Sequence, residues 1–121
     1  MNFEEEEKEI EYVNIEKSKE YKKIRRSLLK QLLDNNVAKD VFEDLVNDYM
    51  KLYVVKELLA ADIKKNGVHL EGRDARGYIS KKNNPSVADF QKINLQMIKL
   101  LDKLKLDPIE EEKEEADMYE L

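Results

Sequence analysis

The chain is 121 residues long, 40% charged, without cysteine, and carries a formal charge of -5. That length allows one domain with a modest core, and the missing thiols exclude disulfides and thiolate metal sites. No stretch reaches the ~20 consecutive apolar residues of a membrane span, and the start lacks the basic flank and apolar run of a signal peptide, so a soluble intracellular protein is expected.

The net charge conceals a segregation. Residues 1–16 hold Lys8 against seven Glu, for -6; residues 17–106 hold twenty Lys and Arg against twelve acids, for +8; residues 107–121 hold Lys113 against eight acids, for -7. A basic body between acidic ends suits binding to a polyanion, with the ends limiting promiscuous contact or addressing another partner.

Residues 1–16 are dominated by Glu with little apolar periodicity, which predicts an acidic disordered tail. Residues 17–36 then form a basic helix and its turn, with Tyr21, Ile24, Leu28, Leu29 and Leu32 on one side. Lys19, Lys22, Lys23, Arg25, Arg26 and Lys30 fill much of the remaining arc. Asn35-Asn36 breaks the helix, and the short turn beyond it permits a helix-turn-helix-like arrangement whose cations meet DNA phosphates. A basic helix face that is merely solvated fits the same residues.

Residues 37–106 are expected to be the oligomerisation core. Asp40 to Gly67 reads as a long helix, with Asp40 and Glu43 as a capping box and Asn66-Gly67 as its stop. Val41, Leu45, Leu52, Val55, Leu59 and Ile63 make one apolar stripe; Phe42, Val46, Tyr49, Tyr53 and Ala60 make another, about 100° away. One partner helix cannot cover both. Either another segment of the chain covers the second stripe or a second subunit does, and the latter makes those five residues an oligomer interface.

Beyond Gly67 the pattern shortens to two brief strands around Val68-Leu70 and Tyr78-Ile79, joined by a loop from Glu71 to Gly77. Arg73, Arg76, Lys81 and Lys82 make this hairpin a second candidate surface for DNA. His69, the sole histidine, reads as a strand surface residue. Asn84 with Pro85, or Ser86 with Asp89, starts a last helix whose stripe is Phe90, Ile93, Met97, Leu100, Leu101 and Leu104. It is expected to lie antiparallel to the long helix and to end before Asp107-Pro108, after which an acidic C-terminal tail follows. The fold class is therefore mainly α: two long antiparallel helices joined by a small β-hairpin, preceded by a basic helix and flanked by flexible acidic tails.

No phosphate-binding glycine loop, dinucleotide fingerprint, HExxH or triad is present, so a non-catalytic binding protein without cofactor or metal is expected. Several runs in order carry a resemblance: Asp48-Tyr49-Met50, Ala61-Asp62-Ile63-Lys64-Lys65-Asn66-Gly67-Val68, the basic hairpin, Lys82-Asn83-Asn84-Pro85-Ser86, and Asn94-x-x-Met97-x-x-Leu100-Leu101-x-x-Leu104-x-Leu106-x-Pro108. Together they resemble the phage terminase small subunits of the P-twenty-seven type, found in phages of Gram-positive hosts, over about Ile24 to Pro108. The resemblance implies a non-catalytic ring in the host cytoplasm that binds double-stranded viral DNA and presents it to the terminase large subunit, which carries the ATPase and nuclease; the acidic C-terminal tail is a candidate contact for that subunit. Lys105 stands where the family has a glycine, which predicts a helix running straight to Leu106. A dimeric helix-turn-helix transcription regulator is the alternative. A third reading, a nucleic-acid-free adaptor whose basic body pairs with acidic tails of other copies, predicts no DNA retention.

Overall fold

The computed structural model describes residues 3–35 and 39–106, in the order α1 (Phe3–Glu16), α2 (Lys19–Asp34), α3 (Lys39–Asn66), β1 (His69–Arg73), β2 (Ile79–Asn83) and α4 (Pro85–Leu104). The chain is mainly helical with one small two-stranded antiparallel sheet.

α3 is the axis, about 42 Å long at ~1.5 Å per residue. Its start at Lys39 places Asp40 inside the helix instead of at the expected cap. Its end is the expected one: Gly67 takes φ +84° and donates its N–H to the Ile63 carbonyl at 2.8 Å.

α4 returns antiparallel along α3, tied midway by Lys56, whose Nζ donates to Asn94 Oδ1 at 2.8 Å and sits 5.4 Å from the Phe90 ring centroid. α2 packs on another side of α3, also antiparallel: Tyr21 meets Tyr53 with ring centroids 6.1 Å apart, and Arg25 Nη2 donates to Asn47 Oδ1 at 3.3 Å. The core lies between the three. Leu28 and Leu32 of α2, Val46, Tyr49 and Met50 of α3, and Met97, Leu104 and Leu106 from the α4 end are all buried together.

This packing corrects the expectation of an open second stripe. Val46 is 0% exposed and Tyr49 5%, while Phe42 and Tyr53 are half-buried against the same core. The chain itself covers them, because α2 supplies Leu28, Leu29 and Leu32 on the side that α4 leaves free. Ala60 is half-buried nearer the other end of α3.

The acidic start also differs from expectation, since Phe3–Glu16 is the helix α1. Glu is a good helix former, and Glu4, Glu5 and Glu6 sit in the first turn, where negative charge complements the helix dipole. Tyr12 and Ile15 reach α3 from one side of the helix, beside Leu58. The joint to α2 is Ser18, which caps α2 by accepting from the Tyr21 N–H at 3.2 Å and donates its own hydroxyl to the Ile15 carbonyl at 2.7 Å.

The hairpin is longer and its loop tighter than expected, with His69 opposite Asn83 through Arg73 opposite Ile79. Asp74 closes the turn: its Oδ1 accepts from the N–H groups of Arg76 and Tyr78 at 2.9 and 3.0 Å, and its backbone pairs with Tyr78. Every residue of both strands is exposed, so the hairpin projects beyond the helices.

Asn84 is the cap of α4, accepting from the Ser86 N–H at 3.0 Å with Pro85 first inside. At the other end the expected straight run to Leu106 does not occur. The helix stops at Leu104, and Lys105 takes a left-handed conformation at φ 55° and ψ 43°. The Lys105 N–H donates to Asp102 O and the Leu106 N–H to Leu101 O, a Schellman turn made without glycine. Burial of Leu106 at 8% exposure is what holds the turn in place. The turn at Asn36 and the acidic stretch 107–121 lie outside the described residues.

Candidate nucleic-acid interface

On α2, apolar residues face α3 and leave the cations outside. With ~100° per residue, Lys19, Lys22, Lys23, Arg26 and Lys30 share an arc of about 100° and span about 17 Å along the axis. No carboxylate falls between them. Lys19, Lys22, Arg26 and Lys30 are exposed and Lys23 is half-buried; Arg26 Nε donates to the Lys22 carbonyl at 3.4 Å.

Arg25 does not belong with them. It is turned toward α3, where its guanidinium bonds Asn47 and lies 3.9 Å from Glu43 Oε1. That position makes it a half-buried tie between helices. Helical spacing in the sequence already sets Arg25 away from the arc, but only the position of Asn47 and Glu43 shows what it does there.

The other expected cations, Arg73, Arg76, Lys81 and Lys82, are all exposed on the hairpin. They do not join the α2 surface. α2 lies along the first half of α3, while the hairpin leaves its far end; from Asn47 to Asn66 is about 29 Å along the helix. Between these basic regions lies α1, packed along the second half of α3 with Glu4, Glu7 and Glu11 near Asp62 and Lys65. The rod therefore alternates in sign: basic stripe, acidic helix, basic hairpin. α1 is what the sequence reading missed, since a Glu-rich run reads as solvated whether or not it is helical.

The hairpin's base is held by a polar node. Asn84 is 3% exposed; its Nδ2 donates to Asp62 Oδ2 at 3.0 Å and to the Gly67 carbonyl at 2.8 Å, and its N–H donates to the Val68 carbonyl at 2.8 Å. Hydrogen bonds from Asn84, Ser86 and Asn66 hold the Asp62 carboxyl below the usual carboxylate range. One side chain thus sets the end of α3, the root of β1 and the start of α4.

Elsewhere burial pushes the Tyr49 phenol up to about 12, with neighbouring Tyr53 adding to it. Tyr21 and Tyr53 are raised for the same first reason, then by Glu16 and by Glu57 respectively. His69 is exposed on β1, and among the described residues no group of three His, Cys, Asp or Glu is placed to hold a metal. No helix among those residues is long and apolar enough to cross a membrane.

The chain is thus a small, mainly helical protein with a segregated cationic helix and a projecting basic hairpin. Residues 22–117 match the family model described as phage terminase, small subunit, and the chain belongs to that family. No curated protein and no solved structure matches it.

Proposed function

We propose that this chain is a non-catalytic DNA-binding adaptor of the P-twenty-seven type from a phage of a Gram-positive host. It works in the host cytoplasm as a homo-oligomer, binding double-stranded viral DNA and presenting it to the large ATPase and nuclease subunit. The observation that carries this reading, beyond family membership, is the unbroken cationic arc of Lys19, Lys22, Lys23, Arg26 and Lys30. Such an arc contacts phosphates, which position a protein on a duplex without reading its bases. Arg73, Arg76, Lys81 and Lys82 are a separate, second surface. The turn at residues 36–38, on which a helix-turn-helix arrangement depends, lies outside the described residues, and the cationic arc does not require it.

Intramolecular coverage of Val46 and Tyr49 removes the open stripe as a reason for assembly, so the oligomer rests on the family and on surfaces away from α2. Anisotropy titration of a genome-end duplex at several salt concentrations, with light scattering on the same sample, tests the proposal. A closed oligomer larger than a dimer with salt-sensitive binding supports it. A dimer points to a transcription regulator, and no retention of DNA at low salt overturns the adaptor reading.

A further inference from the structure

Along the second half of α3, α1 encloses an open groove of about 890 Å³. Its half-buried apolar lining comes from Tyr12, Ile15 and Leu58, and Glu7, Glu11 and Asp62 line it with carboxylates, the two glutamates exposed. Glu4 adds a fourth carboxylate, against Lys8 and Lys65.

The hairpin has the opposite character. The pairing continues one residue past each strand end, through the Asn84 N–H to Val68 O and the Asp74 N–H to Tyr78 O, so alternation puts Val68, Leu70, Tyr78 and Lys82 on one face with Asp74 and Ser80, and Gly72 on that face contributes no side chain. Tyr78 is 70% exposed and Val68 53%. A two-stranded sheet with an uncovered apolar face is marginal by itself, and every residue of these two strands is exposed.

We infer that the hairpin of one copy seats in the α1–α3 groove of the next, its Val68, Leu70 and Tyr78 face on the apolar lining and its Arg76 and Lys82 toward Glu7 and Glu11. The inference rests on the oligomeric reading above and identifies the surfaces that make it. Dimensions agree: five-residue strands extend about 17 Å, and α1 is about 21 Å long. Groove and hairpin occur at the same end of the rod, one beside α3 and one beyond it. Because the hairpin lies farther along the rod than the groove, the copies are related by rotation about an axis inclined to the rod, and such a head-to-tail contact closes into a ring when its rotation divides a full turn. The acidic stretch 107–121 has the same sign as the groove's carboxylates and is a poor occupant.

Sedimentation velocity of the full chain across a concentration series tests this with two charge-reversed pairs, Glu7→Lys/Glu11→Lys and Arg76→Glu/Lys82→Glu, and with Tyr78→Ser. Each is expected to raise the concentration for half-assembly by about tenfold or more, because like charges face each other or the apolar anchor is gone. Combining the two charge-reversed pairs in one chain is expected to restore assembly. Circular dichroism at unchanged helicity separates lost contact from lost folding, since Lys is as good a helix former as Glu. An oligomer indifferent to all three changes, or a double reversal that fails to recover, overturns the seating while leaving the adaptor intact. A wild-type monomer throughout overturns both. DNA binding lost with assembly unchanged in the hairpin variant assigns Arg76 and Lys82 to the second DNA surface and overturns the seating while leaving the adaptor intact.

Discussion

Asn84 and Asp62, 22 residues apart, are joined by a 3.0 Å hydrogen bond from the Asn84 amide to the Asp62 carboxylate, which fixes where the hairpin leaves the helices. Because the same amide also reaches Gly67 O, loss of the side chain leaves a cap, a carbonyl and a carboxylate without their partner. Asn84→Ala is expected to cost about 2 kcal/mol in urea unfolding. Asn84→Asp keeps the cap but sets a second carboxylate against Asp62, so its deficit is expected to shrink as the pH is lowered.

Asp62 has a depressed pKa in the folded chain, so its contribution to stability is present above the ordinary carboxylate range and is lost as pH falls through the folded value. Asp62→Asn is expected to flatten the acid limb of a stability-versus-pH curve. Unchanged acid dependence would mean the node does not hold the carboxylate in its charged form.

For Tyr49 the sign is reversed. Its folded pKa of about 12 lies above the ordinary value near 10, so its contribution is complete below that value and is lost as pH rises toward 12. Tyr49→Phe is expected to remove part of the alkaline loss of stability between about pH 10 and 12, the remainder belonging to Tyr21 and Tyr53. Ultraviolet titration of phenolate absorbance alongside denaturant melts measures both sides of this linkage.

Lys105 holds a left-handed conformation that costs a residue with a β-carbon about 1 kcal/mol. Lys105→Gly is expected to raise stability by about 0.5 kcal/mol after the entropy of glycine in the unfolded chain is counted, and Lys105→Val to lower it by more than 1 kcal/mol (about 1–2). Thermal melts of the two variants give opposite shifts.

On α2, replacing Lys22, Arg26 and Lys30 with Ala is expected to reduce the slope of log affinity against log salt by up to about 2.7, at ~0.9 per phosphate contact. Arg25→Ala should leave that slope unaltered and instead lower stability by about 0.5–1 kcal/mol, through its bonds to Asn47 and Glu43. A slope that falls equally in both variants would place Arg25 on the DNA surface after all.

Much of the architecture is legible in the amino-acid sequence. Periodicity located α2, α3 and α4, Gly67 and Pro85 located two of their ends, and the cations of α2 and the hairpin were visible as candidates. What failed did so for local reasons. A Glu-rich run does not reveal that Tyr12 and Ile15 find α3, and a lysine in place of glycine does not reveal that a buried Leu106 holds the turn.

What the sequence determines alone is therefore local: helix periods, stops, caps, segregation of charge, and the order of runs that marks the terminase small-subunit family. Tertiary structure decides which apolar stripe is sheltered and which cation is outside. Two stripes on α3 are the same pattern whether α2 or a second subunit covers them, and the difference lies only in where Leu28 and Leu32 come to rest. Arg25 and Arg26 are chemically alike, yet a rotation of one residue turns the first toward Asn47 and leaves the second facing solvent.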